Sequence, residues 1–121
     1  MRTLIVALVL CAFAYAQRCP KTSKITKQDI DKVNTVALVT VTDSRKKVYD
    51  LMYEMYYPVK SEPSRWEAYK TINLNKCADV TLEQDISYVL GCKNENKNCR
   101  FIRRYNDVTP EEWALLKKKS P

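Results

Sequence analysis

Histidine is absent from this chain, and glycine occurs once, at Gly91. Without histidine no side chain has an ordinary pKa near neutrality, and the commonest metal ligand is missing. A single glycine leaves no Gly-rich loop to cradle a phosphate. There is no Cys-x-x-Cys pair for a zinc knuckle and no Asn-x-Ser/Thr acceptor for N-glycosylation. No paired carboxylates stand out as an acid/base couple. The chain therefore reads as a non-enzyme, with no catalytic residue, cofactor or metal expected.

Apolar runs are also scarce. The longest, LIVALVLCAFA, follows Arg2 and ends at the small-x-small site Ala14-Tyr15-Ala16. It is too short to span a bilayer and has the layout of a secretory signal, which makes 1–16 a leader and 17–121 one secreted β-rich domain. Cys11 leaves with the leader, and Cys19, Cys77, Cys92 and Cys99 remain. Four cysteines in a short secreted chain predict two disulfides.

The net charge is +7. Such a balance favours acidic partners, sulfated glycans and phospholipid headgroups among them, but scattered lysines also serve solubility alone. The secretory route and the lack of a recognition motif exclude a nucleic-acid role.

Val36 to Leu74 organises the chain. VALVTVT is β-branched and apolar on both faces, as a central strand should be. DSRKK makes a turn, and VYDLMYEMYY follows. Its apolar positions suit a strand face or a helix stripe, and four tyrosines favour the strand. Trp66 to Leu74 alternates again, Asn75 to Asp85 has room for a short strand near Val80, and Ile86–Gly91 and Arg100–Tyr105 are two further strands. Between the last two, Cys92 and Cys99 flank a polar loop, KNENKN. Antiparallel pairing would bring these two cysteines together and leave Cys19 for Cys77, although a bridge from the N-terminal arm to the last strand would serve a barrel equally well.

Two helix starts are signalled. Thr26 and Asp29 have the spacing of a capping box for a short helix reaching Val33. Thr109, Pro110 and Glu112 form the second such start, with Val108 placed to staple onto Trp113 and Lys117 to Lys119 at the negative end of the helix dipole. Trp113 and Leu116 share a face that should meet the sheet.

If 48–57 is a regular strand, Tyr49, Leu51, Tyr53, Met55 and Tyr57 form one uncharged face. With Trp66 they are the candidate ligand-binding residues; the alternative is that they fill the core. Asp50 and Glu54, on the opposite face, are candidates for a cationic ligand or for a solvated edge. Arg100, Arg103 and Arg104 are candidates for an anionic headgroup or for a polar outer face.

VALVTVTDSRKKVYDLMYEMYYPVKSEPSRWEAYKTINL and DISYVLGCKNENKNCRFIRRYNDVTPEEWALLKK resemble, in order, the mid-barrel strands and the ending of the tick salivary lipocalins. That resemblance implies a shortened barrel that scavenges a lipid or biogenic-amine mediator, without the Gly-x-Trp strand of the family. The hairpin TVTDSRKKVYDLMYEMYYPV also resembles the central hairpin of cystatins, which implies a protease inhibitor, but Gln-x-Val-x-Gly is absent. The expected fold is mainly β, an antiparallel meander or partial lipocalin-like barrel of 5–6 strands with a C-terminal α-helix. The expected partner is a small apolar or amphipathic ligand or a host protein, bound by a monomer.

Overall fold

The computed structural model describes residues 19–57, 69–94 and 97–118. The predicted leader and Trp66 lie outside the described residues. Strands β1 (Thr35–Arg45), β2 (Val48–Tyr57), β3 (Tyr69–Asn73), β4 (Ser87–Asn94) and β5 (Lys97–Arg104) form one antiparallel sheet in the order β3-β2-β1-β4-β5. The sheet curls into a half-barrel. Helix α1 (Lys27–Asp31) precedes it, and a 3-10 turn (Tyr105–Asp107) and helix α2 (Pro110–Lys118) follow.

β1 is central because it can bury both faces. Ala37, Val39 and Val41 point to one side and Val36 to the other, all buried. The β1–β2 hairpin closes through Arg45↔Val48, so the turn is Lys46-Lys47 and the preceding DSR belongs to the strand. Both turn residues have positive φ, 51° and 65°. Such two-residue turns favour Asn-Gly, and left-handed backbone costs an ordinary residue about 1–2 kcal/mol. At Lys47 the side chain offsets this cost, its Nζ donating to the Cys77 carbonyl at 2.6 Å. Lys46 is exposed. Lys46→Gly is therefore expected to stabilise the fold by about 0.5–1 kcal/mol in urea denaturation, allowing for the extra entropy of an unfolded glycine.

The ambiguous 48–57 segment is a strand because both of its edges pair, with β1 and with β3. The ladder has an irregularity that alternation cannot show. Leu38 pairs with Met55 but the next residue, Val39, pairs with Tyr53, which makes Glu54 an extra residue on β2. A β-bulge of this kind reverses the facing of everything beyond it.

The sheet has a hydrophobic layer on each face. On one, Tyr49, Leu51, Tyr53 and Leu90 meet Leu74, Val80 and Leu82 from the crossover between β3 and β4. That crossover is two consecutive turns, Cys77 N–H donating to the Leu74 carbonyl and Val80 N–H to the Cys77 carbonyl, so the short strand predicted near Val80 is replaced by turns. On the other face Ile25, Ile30, Val33, Val89, Phe101 and Leu116 pack together, with Trp113 partly buried against them. The N-terminal arm joins this side by bonding to β5: Lys21 N–H to the Arg100 carbonyl and Ile102 N–H to the Lys21 carbonyl.

Cys19 bridges to Cys77, tying arm to crossover, and Cys92 bridges to Cys99, which stand opposite each other in the β4–β5 register. The predicted six-residue loop between them is shorter, because β4 runs on to Asn94 and β5 begins at Lys97. Both predicted helix starts cap as expected. Thr26 Oγ1 accepts from Asp29 N–H, and Thr109 Oγ1 accepts from Glu112 N–H. Val108 and Trp113 meet in the same cluster.

Candidate functional site

The aromatic stripe is divided between the two faces. Tyr49, Leu51 and Tyr53 are no more than 3% exposed beneath the crossover. Tyr49 Oη accepts a hydrogen bond from Leu82 N–H at 3.1 Å, which fixes that segment over the sheet. Beyond the Glu54 bulge the side chains change sides. Tyr56 joins Tyr53, with ring centroids 6.0 Å apart, while Tyr57 turns to Trp113 at 5.5 Å. Met55, opposite Leu38, lies on the face of Tyr57. The single face expected from strict alternation is thus corrected: its first half is core and its second half belongs to the other layer.

The charged candidates are engaged by their own chain. Asp50 accepts from Thr71 and Arg45, and Glu54 accepts from Thr40 Oγ1 at 2.6 Å. Each β5 arginine has a carboxylate: Arg100 pairs with Asp29, Arg103 with Glu112 and Arg104 with Glu83. Asp29 and Glu112 are the buried charged side chains among the described residues, 2% and 0% exposed. Each is the third residue of a capped helix, so one carboxylate both caps a helix and anchors it to β5.

A concavity lies beside the first of these anchors, between the arm, α1 and the β4–β5 hairpin. It is an open groove of about 770 Å³. Asp29 and Cys99 are buried in its lining, and Arg100 is half-buried beside Asp29. Lys21, Lys32, Lys93, Asn34 and Asn98 stand around it, with Asp31 as the other acid. Asn34 N–H donates to the Cys92 carbonyl at 3.0 Å, which seats the end of α1 against β4. The Cys92–Cys99 bridge holds the opposite wall.

Burial acts to raise the pKa of Asp29, but donors from Lys21, the Thr26 backbone and hydroxyl, and Arg100 outweigh it, and the value stands at about 2 against an ordinary 3.8. The folded pKa is depressed, so this stabilisation is complete above the unfolded value and is lost as pH falls through the folded one. Acidification from about pH 5 to about pH 2 is expected to remove about 2 kcal/mol through this group. Urea midpoints across that range should show an Asp29→Asn variant with correspondingly less pH dependence; an unchanged slope would contradict the assignment.

Alternation and motif spacing did not reveal this groove. Thr26-x-x-Asp29 was legible as a cap, but the Asp29–Arg100 contact joins residues 71 positions apart. In the sequence Lys93 to Asn98 reads as a polar loop that would carry contacts if the chain were a protein-binding inhibitor, and nothing there joins it to Asp29 and Arg100.

Comparison with known proteins gives the chain a family. Residues 17–117 match the family model AceES-2, described as excretory-secretory protein 2. The chain is similar to the crystal structure of Ancylostoma ceylanicum excretory-secretory protein 2, with 38% identity over 85% of this chain and 97% of that one, and a TM-score of 0.71. A search of curated proteins finds no match. These findings overturn the tick lipocalin and cystatin resemblances. Both rested on a Val-rich strand, a basic turn and an aromatic strand, and the lipocalin one also on a Trp-led strand and a cysteine-bearing hairpin before a C-terminal helix, all patterns of residue type that half-buried strands of many folds satisfy.

Proposed function

We propose that this chain, which belongs to the excretory-secretory protein 2 family, is a secreted binding protein without catalytic activity that engages its partner through the basic groove on its surface. The observation that carries the reading is that the protein's own segments occupy both faces of the sheet. Where a ligand-enclosing barrel has a lumen, this half-barrel has Leu74, Val80 and Leu82 against Tyr49 and Leu51. A lipid or amine mediator would have to displace that layer. The groove needs no such rearrangement, and its walls are fixed by a disulfide and by a buried carboxylate.

Small-ligand binding surveyed by native mass spectrometry tests this. The secreted protein should retain neither a fatty acid nor a biogenic amine. It should form complexes with anionic ligands, and Lys32→Glu/Lys93→Glu should weaken them. A lipid or amine complex that survives that double substitution would overturn the reading.

A further inference from the structure

We infer that the groove binds the chain of a sulfated polysaccharide, an assignment that rests on the surface-binding reading above. The first ground is the balance of charge. Elsewhere along β5 and α2 cations and carboxylates pair one to one: Lys24 with Glu111, Arg103 with Glu112, Arg104 with Glu83. In the groove two cations, Lys21 and Arg100, converge on the single carboxylate of Asp29. Lys32 and Lys93 are exposed beside them and make no ion pair among the described residues. Among the described residues four cations thus face two acids, in a concave site where field lines concentrate.

The second ground is the character of the lining. Asn34 and Asn98 offer amide groups that both donate and accept, matching hydroxyls as well as sulfate oxygens. Among the described residues no aromatic side chain lines the groove to give a stacking platform for a nucleobase, and apart from Cys99 none that is apolar lines it to shelter an acyl chain. A ligand polar along its whole length fits this lining.

The third ground is size. At about 770 Å³ the groove is far larger than a free sulfate or phosphate needs and falls in the range that holds a ligand of several rings. It is open, which suits a segment of a longer chain. Binding to a polyanion releases its condensed counterions, so affinity should fall steeply with added salt, as it does on other polyanions.

The test compares a size-defined sulfated oligosaccharide with its desulfated counterpart by calorimetry at two salt concentrations. The sulfated form should bind at least tenfold tighter. Lys32→Glu/Lys93→Glu should reduce its affinity at least tenfold, whereas Lys46→Glu/Lys118→Glu, an equal charge change on exposed residues outside the groove, should reduce it less than threefold. Equal losses in the two double variants would mean that net charge alone drives binding, and would overturn the inference. So would equal affinity for the desulfated form. If an acidic peptide or inorganic sulfate binds in a Lys32/Lys93-dependent way while the oligosaccharide does not, the polysaccharide assignment fails and the groove remains the contact site. If no anion shows that dependence, both fail.

Discussion

Gly91→Ala is expected to cost about 3 kcal/mol of folding stability and to lower Tm by roughly 10–20 °C. Gly91 sits in the middle of β4, where a glycine is ordinarily a weakness, since it adds entropy to the unfolded chain and contributes no side chain. Its register partner on β5 is Phe101, which is fully buried. The phenyl ring lies across Gly91, and a Cβ there would overlap the ring at Cζ, Cε1 and Cε2. Phe101 cannot swing away freely, because Val36, Val89, Ile25 and Leu116 surround it in the layer between sheet and helices. The added methyl must displace either the ring or the backbone of β4, next to the Cys92–Cys99 bridge. Shortening the ring should relieve the overlap, so Gly91→Ala/Phe101→Leu is expected to be more stable than Gly91→Ala alone. Thermal unfolding followed by circular dichroism reads both effects. A loss below about 0.5 kcal/mol for the single variant, the range of an ordinary surface change, would show that the ring does not hold this place.

Glu112→Ala should destabilise by about 3–5 kcal/mol, since it removes one member of a buried ion pair. The Glu112 carboxylate accepts from the Arg103 guanidinium at two positions, each 3.2 Å, from Ile25 N–H at 3.2 Å and from Thr109 N–H at 3.3 Å. Deleting it removes the carboxylate half of the capping box at Thr109 and the bond from the arm at Ile25, and leaves Arg103, whose side chain is 18% exposed, without its carboxylate. The remedy follows from the same accounting. Arg103→Met in the Glu112→Ala background removes the stranded charge and should recover part of the loss, so the two substitutions will not add. Burial pushes the Glu112 pKa upward, but the bonds from Ile25, Arg103 and Thr109 and the Arg103 charge hold it below its ordinary value. Its contribution is therefore present at neutral pH and disappears on acidification, in the same direction as that of Asp29. Strict additivity in the double variant would contradict the direct coupling.

Features that depend on close sequence neighbours were legible in the chain. Thr26 with Asp29, and Thr109 with Glu112, are three residues apart, so each cap could be read locally. Cys92 and Cys99 flank a hairpin, and their proximity followed from antiparallel pairing. The central position of β1 followed from its having no polar face. The Glu54 bulge was not legible, because period-two reasoning assumes a regular ladder and Tyr and Met suit either face. The Lys46-Lys47 turn lacked the Asn-Gly signal of its type, since Lys47 is used for its reach to Cys77 and Ala78. The groove required the arm, α1 and the β4–β5 hairpin to be placed side by side, and no local pattern carries that information. Gly91 illustrates both sides. As the sole glycine it argued against phosphate loops, but that it makes room for a ring came only from the register with Phe101.

The central claim, that partners meet the outside of this half-barrel and not the inner face of its sheet, is most directly tested by amide chemical-shift mapping during titration with a sulfated oligosaccharide. The expected result is a set of shifts confined to 29–34, 93–94 and 97–100, with Tyr49, Leu51 and Leu82 unmoved. Shifts centred on those three residues, with the groove silent, would contradict it.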